Sequence, residues 1–418
     1  MSTHLGTRRP HGMRRLLAGA TTARTGDEMS GPALLLLGYA QTGSAATAAA
    51  LLAGITASAA LGGPVLGALL DRAARPGRLL AVSLVLHVAG LTVVLLTLGR
   101  VPFPLTLLTA LAAGTLAPAL AGGWTSQLST VVPERRLHRA HALDAMTYST
   151  ASLLGPALAG LLGRLLGAPA AVVGAVVLIL LAVPATRGLP HRQAPAEPVT
   201  VRSVARDLRQ GFACLVRSMP LARATVTSTL SCLGQGTFVA CVPLLGARAL
   251  GAPGDGALLL SCTAVAALAA GAVLGWLRRP PAPDTVLWAA PLLLALALAS
   301  ALAAATAAHG SALLVAAALL AGVAEGPQLT ALFAVRHREA PQRLRAQVFT
   351  TGASVKITAF ALGAALAGPL ASRSLTAALV MAAAVQLLAA AAHAVVGRAF
   401  VRRSGPATRR CGHGPGRV

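Results

Sequence analysis

One short segment near the start of this 418-residue chain combines three charged residues with apolar surroundings. The segment is RTGDEM, residues 24–29, and it contains Arg24, Asp27 and Glu28. On a helix, Arg24 lies three residues before Asp27 and four before Glu28, so it can pair with either acid. Because adjacent residues diverge by about 100° around a helix, the two acids face different environments. We expect one acid to pair with Arg24 and the other to bind a proton or a cation, unless the charges serve only to lower the cost of membrane insertion.

Charged residues also interrupt apolar segments further along the chain. Glu325 lies in LLAGVAEGPQL between glycines and a proline, a context typical of a flexible helix that lines a cavity. Lys356 lies in a later apolar segment and can neutralise Glu325 or bind an anionic group. A charge at the centre of a bilayer costs roughly 2.5–3.5 kcal/mol on insertion scales, so such residues face a cavity or a partner. Asp144, near the start of the predicted fifth span, is a lesser candidate of the same kind.

The composition identifies the elements that must hold these charges. Hydrophobic residues make up 56% of the chain and charged residues only 11%, whereas a soluble domain carries about 25% charged residues. Apolar runs of about 20 residues, the length of a helix that spans a bilayer, recur along the whole chain. The backbone must satisfy its own hydrogen bonds in lipid, which helices do. The sequence therefore predicts an all-α, multi-pass membrane protein and excludes an ordinary globular enzyme.

The net charge of +24 is unevenly distributed. If the N-terminus is inside and a dozen helices follow, most of the 35 basic residues lie on one side of the membrane. The arginines that fall on the other side are Arg100, Arg164, Arg248 and Arg373. This asymmetry is the positive-inside pattern, and it predicts that both termini are cytoplasmic. The pattern argues against nucleic acid as a partner, and the alanine and arginine bias favours the plasma membrane of a bacterium with a GC-rich genome.

The two halves of the chain resemble each other weakly at a constant offset of 208 residues. GPVLGALL at 63–70 aligns with GAVLGWLR at 271–278, and GPALAGLL at 155–162 aligns with GAALAGPL at 363–370. Transporters use a duplicated bundle of six plus six helices to place a site between two rocking halves. We therefore expect twelve transmembrane helices in two pseudo-symmetric six-helix halves. The same offset puts the RTGDEM segment inside the first span, at residues 13–38.

A polar interruption rich in proline and arginine separates the halves. The predicted domains are an N-terminal half at 1–186, a cytoplasmic linker at 187–220, a C-terminal half at 221–400 and a basic cytoplasmic tail at 401–418. Residues 201–218 of the linker have the pattern of a basic amphipathic helix lying on the inner membrane face.

The loop after the second predicted span, GALLDRAARPGR at 67–78, carries a family resemblance. It resembles the signature loop of the major facilitator superfamily, roughly G-x-L-x-D-R-x-G-R-[KR]. Gly67, Asp71, Arg72 and Arg75 match this pattern, as does the leucine at 69, whereas Ala74 replaces the second glycine and a proline replaces the next basic residue. Glycine at 67 permits close helix packing, and Asp71 can cap or pair at the inner end of the bundle. The alternative is a positively charged loop with one stray acid.

With twelve spans and a central loop, the resemblance covers the whole chain and implies an alternating-access secondary transporter. A narrower resemblance lies in the predicted fifth span, where SLLGPALAG is similar to the end of the antiporter motif of drug exporters. Gly155, Pro156 and Gly160 match, but the glycines expected upstream are alanines, and a kinked, closely packed helix explains the motif equally well. The arginine that such exporters often carry early in the fourth span is absent from residues 103–131.

Several other chemistries are excluded by the sequence. The single lysine, Lys356, is preceded by Val355, so the chain contains no P-loop for nucleotide-driven pumping. The five cysteines are scattered without metal-ligand spacing, and no catalytic cluster is convincing. His87 lies in a predicted span and is interpreted as a packed residue. We therefore expect no enzyme activity, no cofactor and no metal site.

These observations favour a proton-coupled exporter of small organic molecules, drug-like or antibiotic-like and amphiphilic or cationic, which works as a monomer in the lipid bilayer. Its partners are then a small-molecule substrate and protons. Asp27 is the preferred proton carrier because its Gly-Asp context resembles related exporters, and Glu325 is the next candidate. One alternative is a proton-coupled importer of a metabolite or organic acid, with Lys356 and Arg24 as anion sites. Another is a membrane sensor or scaffold that transports nothing.

Overall fold

The computed structural model describes residues 10–190, 200–249, 256–304 and 310–403. These residues are almost entirely helical, and they contain no strand. Most of the predicted basic tail, from 404 onward, and residues 191–199 of the predicted linker lie outside the described residues.

In the described residues, the first half consists of eight α-helices, four of which belong to two interrupted spans. They are α1 (Pro10–Thr42), α2 (Ala45–Ala57), α3 (Ala59–Arg72), α4 (Pro76–Thr97), α5 (Phe103–Gly114), α6 (Trp124–Val131), α7 (Leu137–Leu166) and α8 (Ala168–Thr186). Helices α2 and α3 meet at Ser58 and together form one span. A π-helical turn at Ala119–Gly123 joins α5 to α6 in another.

The second half begins after a separate helix, α9 (Val201–Arg217). It contains α10 (Met219–Ala249), α11 (Gly256–Trp276), α12 (Pro283–Ala304), α13 (Gly310–Glu339), α14 (Arg345–Arg373) and α15 (Leu375–Arg403).

Ten segments of the described chain are long and apolar enough to cross a membrane. Helices α1 and α10 have 33 and 31 residues, which is ample length, but they are not among these ten segments. Both nevertheless pack inside the bundle. Gly26 of α1 lies against Ile179 of α8, and Gly236 of α10 lies against Phe360 of α14. The all-α membrane fold is therefore confirmed, whereas the count of twelve spans stays a prediction.

Helix α9 coincides with the segment for which the sequence predicts an amphipathic helix. Arg72 of α3 forms an ion pair with Asp207, and the side-chain amide of Gln347 on α14 donates to the carbonyl of Leu208 at 3.3 Å. The opposite face exposes basic residues, Arg202, Arg206 and Arg209. Helix α9 thus lies across the ends of two helices from different halves, and its assignment to the cytoplasm stays a prediction.

The two halves contact each other at the end of the bundle that carries the basic loops. The Thr350 hydroxyl donates to the carbonyl of Gly63 at 2.6 Å, and the Ser354 hydroxyl donates to the carbonyl of Ala59 at 2.5 Å. On the other side, His138 of α7 lies 3.0 Å from the carbonyl of Leu274 on α11. Two helix pairs, α3 with α14 and α7 with α11, therefore close this end.

The close approach of α3 and α14 depends on glycine. A β-carbon added to Gly67 would overlap the Thr350 side chain and the backbone of Gln347. A β-carbon added to Gly160 of α7 would meet no atom within 4 Å. The two glycines are therefore a matched pair for testing the closure.

We expect Gly67→Val to separate α3 from α14 and so to expose Ser354, whose side chain is 1% exposed in this conformation. In a background without native cysteines, Ser354→Cys should react several-fold faster with a small thiol reagent when Gly67→Val is present. Gly160→Val should leave the labelling rate unchanged. Equal labelling rates in the two valine variants would contradict the proposed closure.

Candidate functional site

Arg24 lies at the centre of a buried polar cluster that joins three helical segments. Its guanidinium is 2.9 Å from the carboxylate of Asp144, which is itself fully buried. It also donates to the hydroxyl of Thr147 on α7, to the hydroxyl of Thr125 on α6 at 2.9 Å and to the carbonyl of Ala121 at 3.0 Å. The Thr125 hydroxyl in turn donates to Asp144 at 2.7 Å. The carboxylate and both terminal nitrogens of the guanidinium therefore have partners, whereas Nε of Arg24 has none among the described residues.

This cluster corrects the prediction that Arg24 pairs with an acid on its own helix. The ion-pair partner is Asp144 of α7, the residue that the sequence ranks as a lesser candidate. The Tyr148 ring lies beneath the guanidinium, with 3.7 Å between Cζ and the ring centroid, and adds a cation–π contact. The pair holds α1 against α7 and leaves Asp27 and Glu28 without Arg24. Arg24 is consequently not available as an anion site.

Asp27 lies beside a histidine that sequence reasoning dismissed as a packed residue. The Asp27 carboxylate is 3.8 Å from Nε2 of His87 on α4, and its side chain is 23% exposed whereas that of His87 is fully buried. Nδ1 of His87 lies 2.9 Å from the carbonyl of Ala113, so this nitrogen must carry a hydrogen in order to donate. Neutral His87 then presents the lone pair of Nε2 to Asp27. At 3.8 Å the two groups are too far apart for a hydrogen bond, and Nε2 has no other partner among the described residues. A proton bound to either group would allow a hydrogen bond to form after a small movement of the side chains.

Glu28 lies next to the antiporter-like motif of α7. A β-carbon on Gly155 would overlap the backbone and Cβ of Glu28, so Gly155 lets α1 and α7 pack closely. Pro156 and Gly160 are exposed on α7, and Gly160 has no neighbour within 4 Å of an added β-carbon. The Glu28 side chain is also exposed. An exposed acid in the middle of a membrane-length helix favours a water-filled space over lipid.

Glu325 and Lys356 line one cavity between the two halves of the bundle. The cavity offers about 120 Å³ of room for water, and its wall combines residues of α7, α10, α13 and α14. Its lining residues are Tyr148, Ser149, Ser152, Ser228, Gln235, Glu325, Gln328, Leu329, Leu332 and Lys356. Gln235 and Ser231 of α10 both donate to the side-chain oxygen of Gln328, which fixes the orientation of that amide. Lys356 acts electrostatically on Glu325, as the sequence predicts, although the two side chains form no direct ion pair among the described residues.

The signature loop contributes a carboxylate to the start of α14. Asp71 accepts hydrogen bonds from the backbone N–H groups of Ala346 and Gln347, both at 2.8 Å. These N–H groups have no partner within the helix, and the helix dipole favours a negative charge there. Asp71, which the sequence predicts to cap or pair at the inner end of the bundle, therefore caps the start of α14. Arg72 binds Asp207 of α9, and Arg75 is exposed at the start of α4.

The arrangement provides for binding and gating. In the part of the chain that the structure describes, no group of three or more His, Cys, Asp or Glu side chains is placed to hold a metal ion. A polar cavity between two halves, a closed end and charges in the membrane-length helices are the parts that an alternating-access carrier requires.

We expect Asp144→Asn to destabilise the protein strongly, because it leaves the Arg24 guanidinium buried beside a neutral amide. Removing one partner of a buried ion pair costs about 3–5 kcal/mol. The matched variant is Glu28→Gln, which should leave the melting temperature nearly unchanged because Glu28 does not pair with Arg24. Thermal unfolding of the purified variants in detergent measures the difference. A larger loss of melting temperature in Glu28→Gln than in Asp144→Asn would indicate that Arg24 pairs with Glu28 on its own helix instead.

We expect Asp71→Asn to weaken the closed end by roughly 1–2 kcal/mol, because the charge at the start of α14 is lost. Such a loss shifts the balance between closed and open conformations by about tenfold. Thiol labelling of Ser354→Cys and the transport rate should both respond. Arg78→Gln, a charge removal at an exposed site of the same loop, is the control. Unchanged labelling and transport in Asp71→Asn would mean that the loop only helps to orient the protein in the membrane and that Asp71 does not stabilise the closed end.

Comparisons with known proteins agree with this architecture. The sequence profile of the Major Facilitator Superfamily matches residues 16–356. An uncharacterized MFS-type transporter, y4rN of Sinorhizobium fredii (strain NBRC 101917 / NGR234), is 28% identical over 392 residues, which cover 91% of this chain and 94% of the relative.

Solved structures share the fold at low sequence identity. A bacterial homologue of the iron transporter ferroportin, in an outward-facing state, superposes with a TM-score of 0.73 at 17% identity and covers 93% of this chain and 99% of its own. The human organic anion transporter MFSD10 (TETRAN) superposes with a TM-score of 0.72 at 16% identity and covers 92% of this chain and 100% of its own. Because the family profile extends over most of the sequence and the helical bundle matches, the chain belongs to the Major Facilitator Superfamily, and it is a membrane transporter rather than an enzyme.

Proposed function

We propose that this transporter exports small organic molecules from a bacterial cell in exchange for protons, with the cavity between the halves as the substrate site. The observation that carries the proposal is the polar cavity lined by Glu325 and Lys356, which draws its wall from both halves. A site of this kind is accessible to one side of the membrane at a time when the halves rock about it.

The closed end of the bundle supports an alternating-access cycle. The contacts between α3 and α14 and between α7 and α11 lie at the end that carries the basic loops. If these loops are cytoplasmic, as the positive-inside pattern predicts, this conformation is closed toward the cytoplasm. The ferroportin homologue with a similar fold is described in an outward-facing state. Uptake of substrate from the cytoplasm then requires the α3–α14 contact to open. The hydrogen bonds from the start of α14 to Asp71 would favour closing this contact again.

Proton exchange is best supported at Asp27 and His87. When the cell interior is less acidic than the exterior, a proton enters from outside and is held between the carboxylate and Nε2. Its release to the cytoplasm in the other conformation leaves a charged carboxylate in a partly buried site. Recovering the proton from outside removes that charge, which lowers the cost of the return step. Glu325, which lines the central cavity, is the second acid available for the same role.

Export, rather than import, rests on the resemblance of the α7 motif to antiporters and on the Gly-Asp context of Asp27. Import of a metabolite or organic acid is the alternative, and it would use the same cavity in the reverse direction. A toxicity and accumulation panel in an efflux-deficient host, with and without a protonophore, separates the two and identifies a substrate. Export predicts lower accumulation of toxic compounds, and the protonophore should abolish the difference.

We expect Asp27→Asn to abolish proton-driven transport while substrate exchange across the membrane survives, because the cavity itself is unchanged. His87→Gln should weaken proton coupling less, since the carboxylate remains. Proton release on substrate addition and substrate counterflow, both measured in proteoliposomes, distinguish these steps. Glu134→Gln removes an exposed acid outside the site and should behave like the unmodified protein.

A wild-type ratio of protons to substrate in Asp27→Asn would exclude Asp27 as the coupling residue. Glu325→Gln then becomes the deciding variant. If neither substitution alters the ratio, transport by this protein is not coupled to protons through either acid.

A further inference from the structure

A second arginine is buried as deeply as Arg24, but it lacks the partners that Arg24 has. Arg336 lies on α13, and both side chains are 2% exposed. Whereas Arg24 has a carboxylate, two hydroxyls and two carbonyls around its guanidinium, Nε and Nη2 of Arg336 have no hydrogen-bond partner among the described residues. A buried charge without a partner is costly, so proteins rarely keep one without a function.

The guanidinium of Arg336 lies directly beneath the central cavity. It rests against Gly352 of α14, where an added β-carbon would overlap it, and Gly352 is one helical turn from the cavity residue Lys356. On α13, Arg336 is one turn beyond Leu332, another cavity residue. Its electrostatic neighbours include Tyr148, whose ring also lines the cavity. Arg336 is not part of the cavity wall itself, but it lies about one helical turn below Leu332 and Lys356, which are.

The cavity wall presents several hydrogen-bond donors. The Gln328 amide nitrogen is buried without a partner, because its oxygen already accepts from Ser231 and Gln235. The ammonium of Lys356 and the hydroxyl of Ser149 add further donors, whereas the Ser228 hydroxyl already donates to the carbonyl of Thr225. Glu325 is the one acid among the residues that line the cavity. Two cations, an unpartnered amide N–H and a single carboxylate favour a ligand that brings negative charge.

We propose that Arg336 and Lys356 bind the anionic group of the transported molecule, so that the substrate class is organic anions. This proposal deepens the proposed function, on which it rests for the use of the cavity, and it replaces the expectation of cationic substrates. The anionic group enters past Lys356 and supplies the charge that Arg336 lacks. The apolar part of the molecule lies against Tyr148, Leu329 and Leu332. Arg24 takes no part, because Asp144 already neutralises it.

The test uses four probes that share a benzene ring and differ in the attached group, namely benzoate, phenyl phosphate, benzamide and benzylamine. Binding to the full-length protein in detergent is followed by titration calorimetry and by the shift in melting temperature. We expect benzoate or phenyl phosphate to bind at least about tenfold more tightly than neutral benzamide, since hydrogen bonds to a charged group are the stronger ones. The two anions distinguish a carboxylate site from a phosphate site.

Arg336→Gln should reduce the affinity for the preferred anion at least about tenfold and leave benzamide unaffected. Arg336→Lys retains the charge and should restore part of the preference. Arg343→Gln removes an exposed arginine at the same end of the bundle and should bind as the unmodified protein does. Without ligand, Arg336→Gln should melt at the same or a higher temperature, because it removes an unpaired buried charge.

Three results would each overturn the inference: no anion binds more tightly than benzamide, benzylamine binds best, or Arg336→Gln keeps the full preference for anions. If Arg336→Gln does not fold, Lys356→Gln is measured against the same probes, and an unchanged preference is again decisive. The binding measurements need no proton gradient. A protein that binds anions through Arg336 but moves no protons would retain this inference and refute the proton coupling.

Discussion

The buried ion pair between Arg24 and Asp144 determines how the other charges of the first half are used. An arginine in an apolar bundle must have a partner, and this one is satisfied across three helical segments by a carboxylate, two hydroxyls and two carbonyls. The pair ties α1 to α7, and the close contact of Gly155 with the backbone of Glu28 continues the same interface. Because Asp144 meets the needs of Arg24, Asp27 and Glu28 remain outside that network. The acid beside His87 therefore does not pair with Arg24, as the proposed proton site requires.

The contact between the two halves is weaker than this ion pair, because the proposed transport cycle requires the contact to form and break. Its contacts are small: glycines in α3, hydroxyls in α14, and a carboxylate on the first N–H groups of α14. Each hydrogen bond of this kind contributes modestly to stability because water replaces it when the halves separate. Helix α9 adds an ion pair to Arg72 and an amide contact to Gln347 at the same place. The signature loop and helix α9 of the linker therefore both stabilise the contact between α3 and α14.

The two buried arginines, Arg24 and Arg336, differ in their partners and in the roles that we assign to them. Arg24 is neutralised within the protein and contributes to the stability of the first half. Arg336 is equally buried and has no carboxylate partner among the described residues, and in our proposal the anionic group of the substrate compensates its charge. A ligand that removes this cost gains differential affinity for the conformation in which Arg336 is reached. Binding energy and conformational change would then be linked at the floor of the cavity.

The amino-acid sequence alone determined the class of protein, the repeat, the signature loop and the presence of charges within apolar helices. These features are local, because the cost of inserting a helix is approximately a sum over some twenty consecutive residues. The sequence also predicted that Asp71 caps or pairs at the inner end of the bundle, because the position of its loop follows from the order of the helices. The partners of the buried charges were decided only by the tertiary structure. Arg24 pairs with Asp144 rather than with an acid on its own helix, and Asp27 lies beside His87. Arg336 follows an apolar segment as a loop arginine would, yet it is buried against Gly352 below the cavity. A rotation of one residue turns a side chain by about 100° around its helix, and the facing helix can come from anywhere in the chain. Spacing along the sequence therefore carries little information about which charges meet.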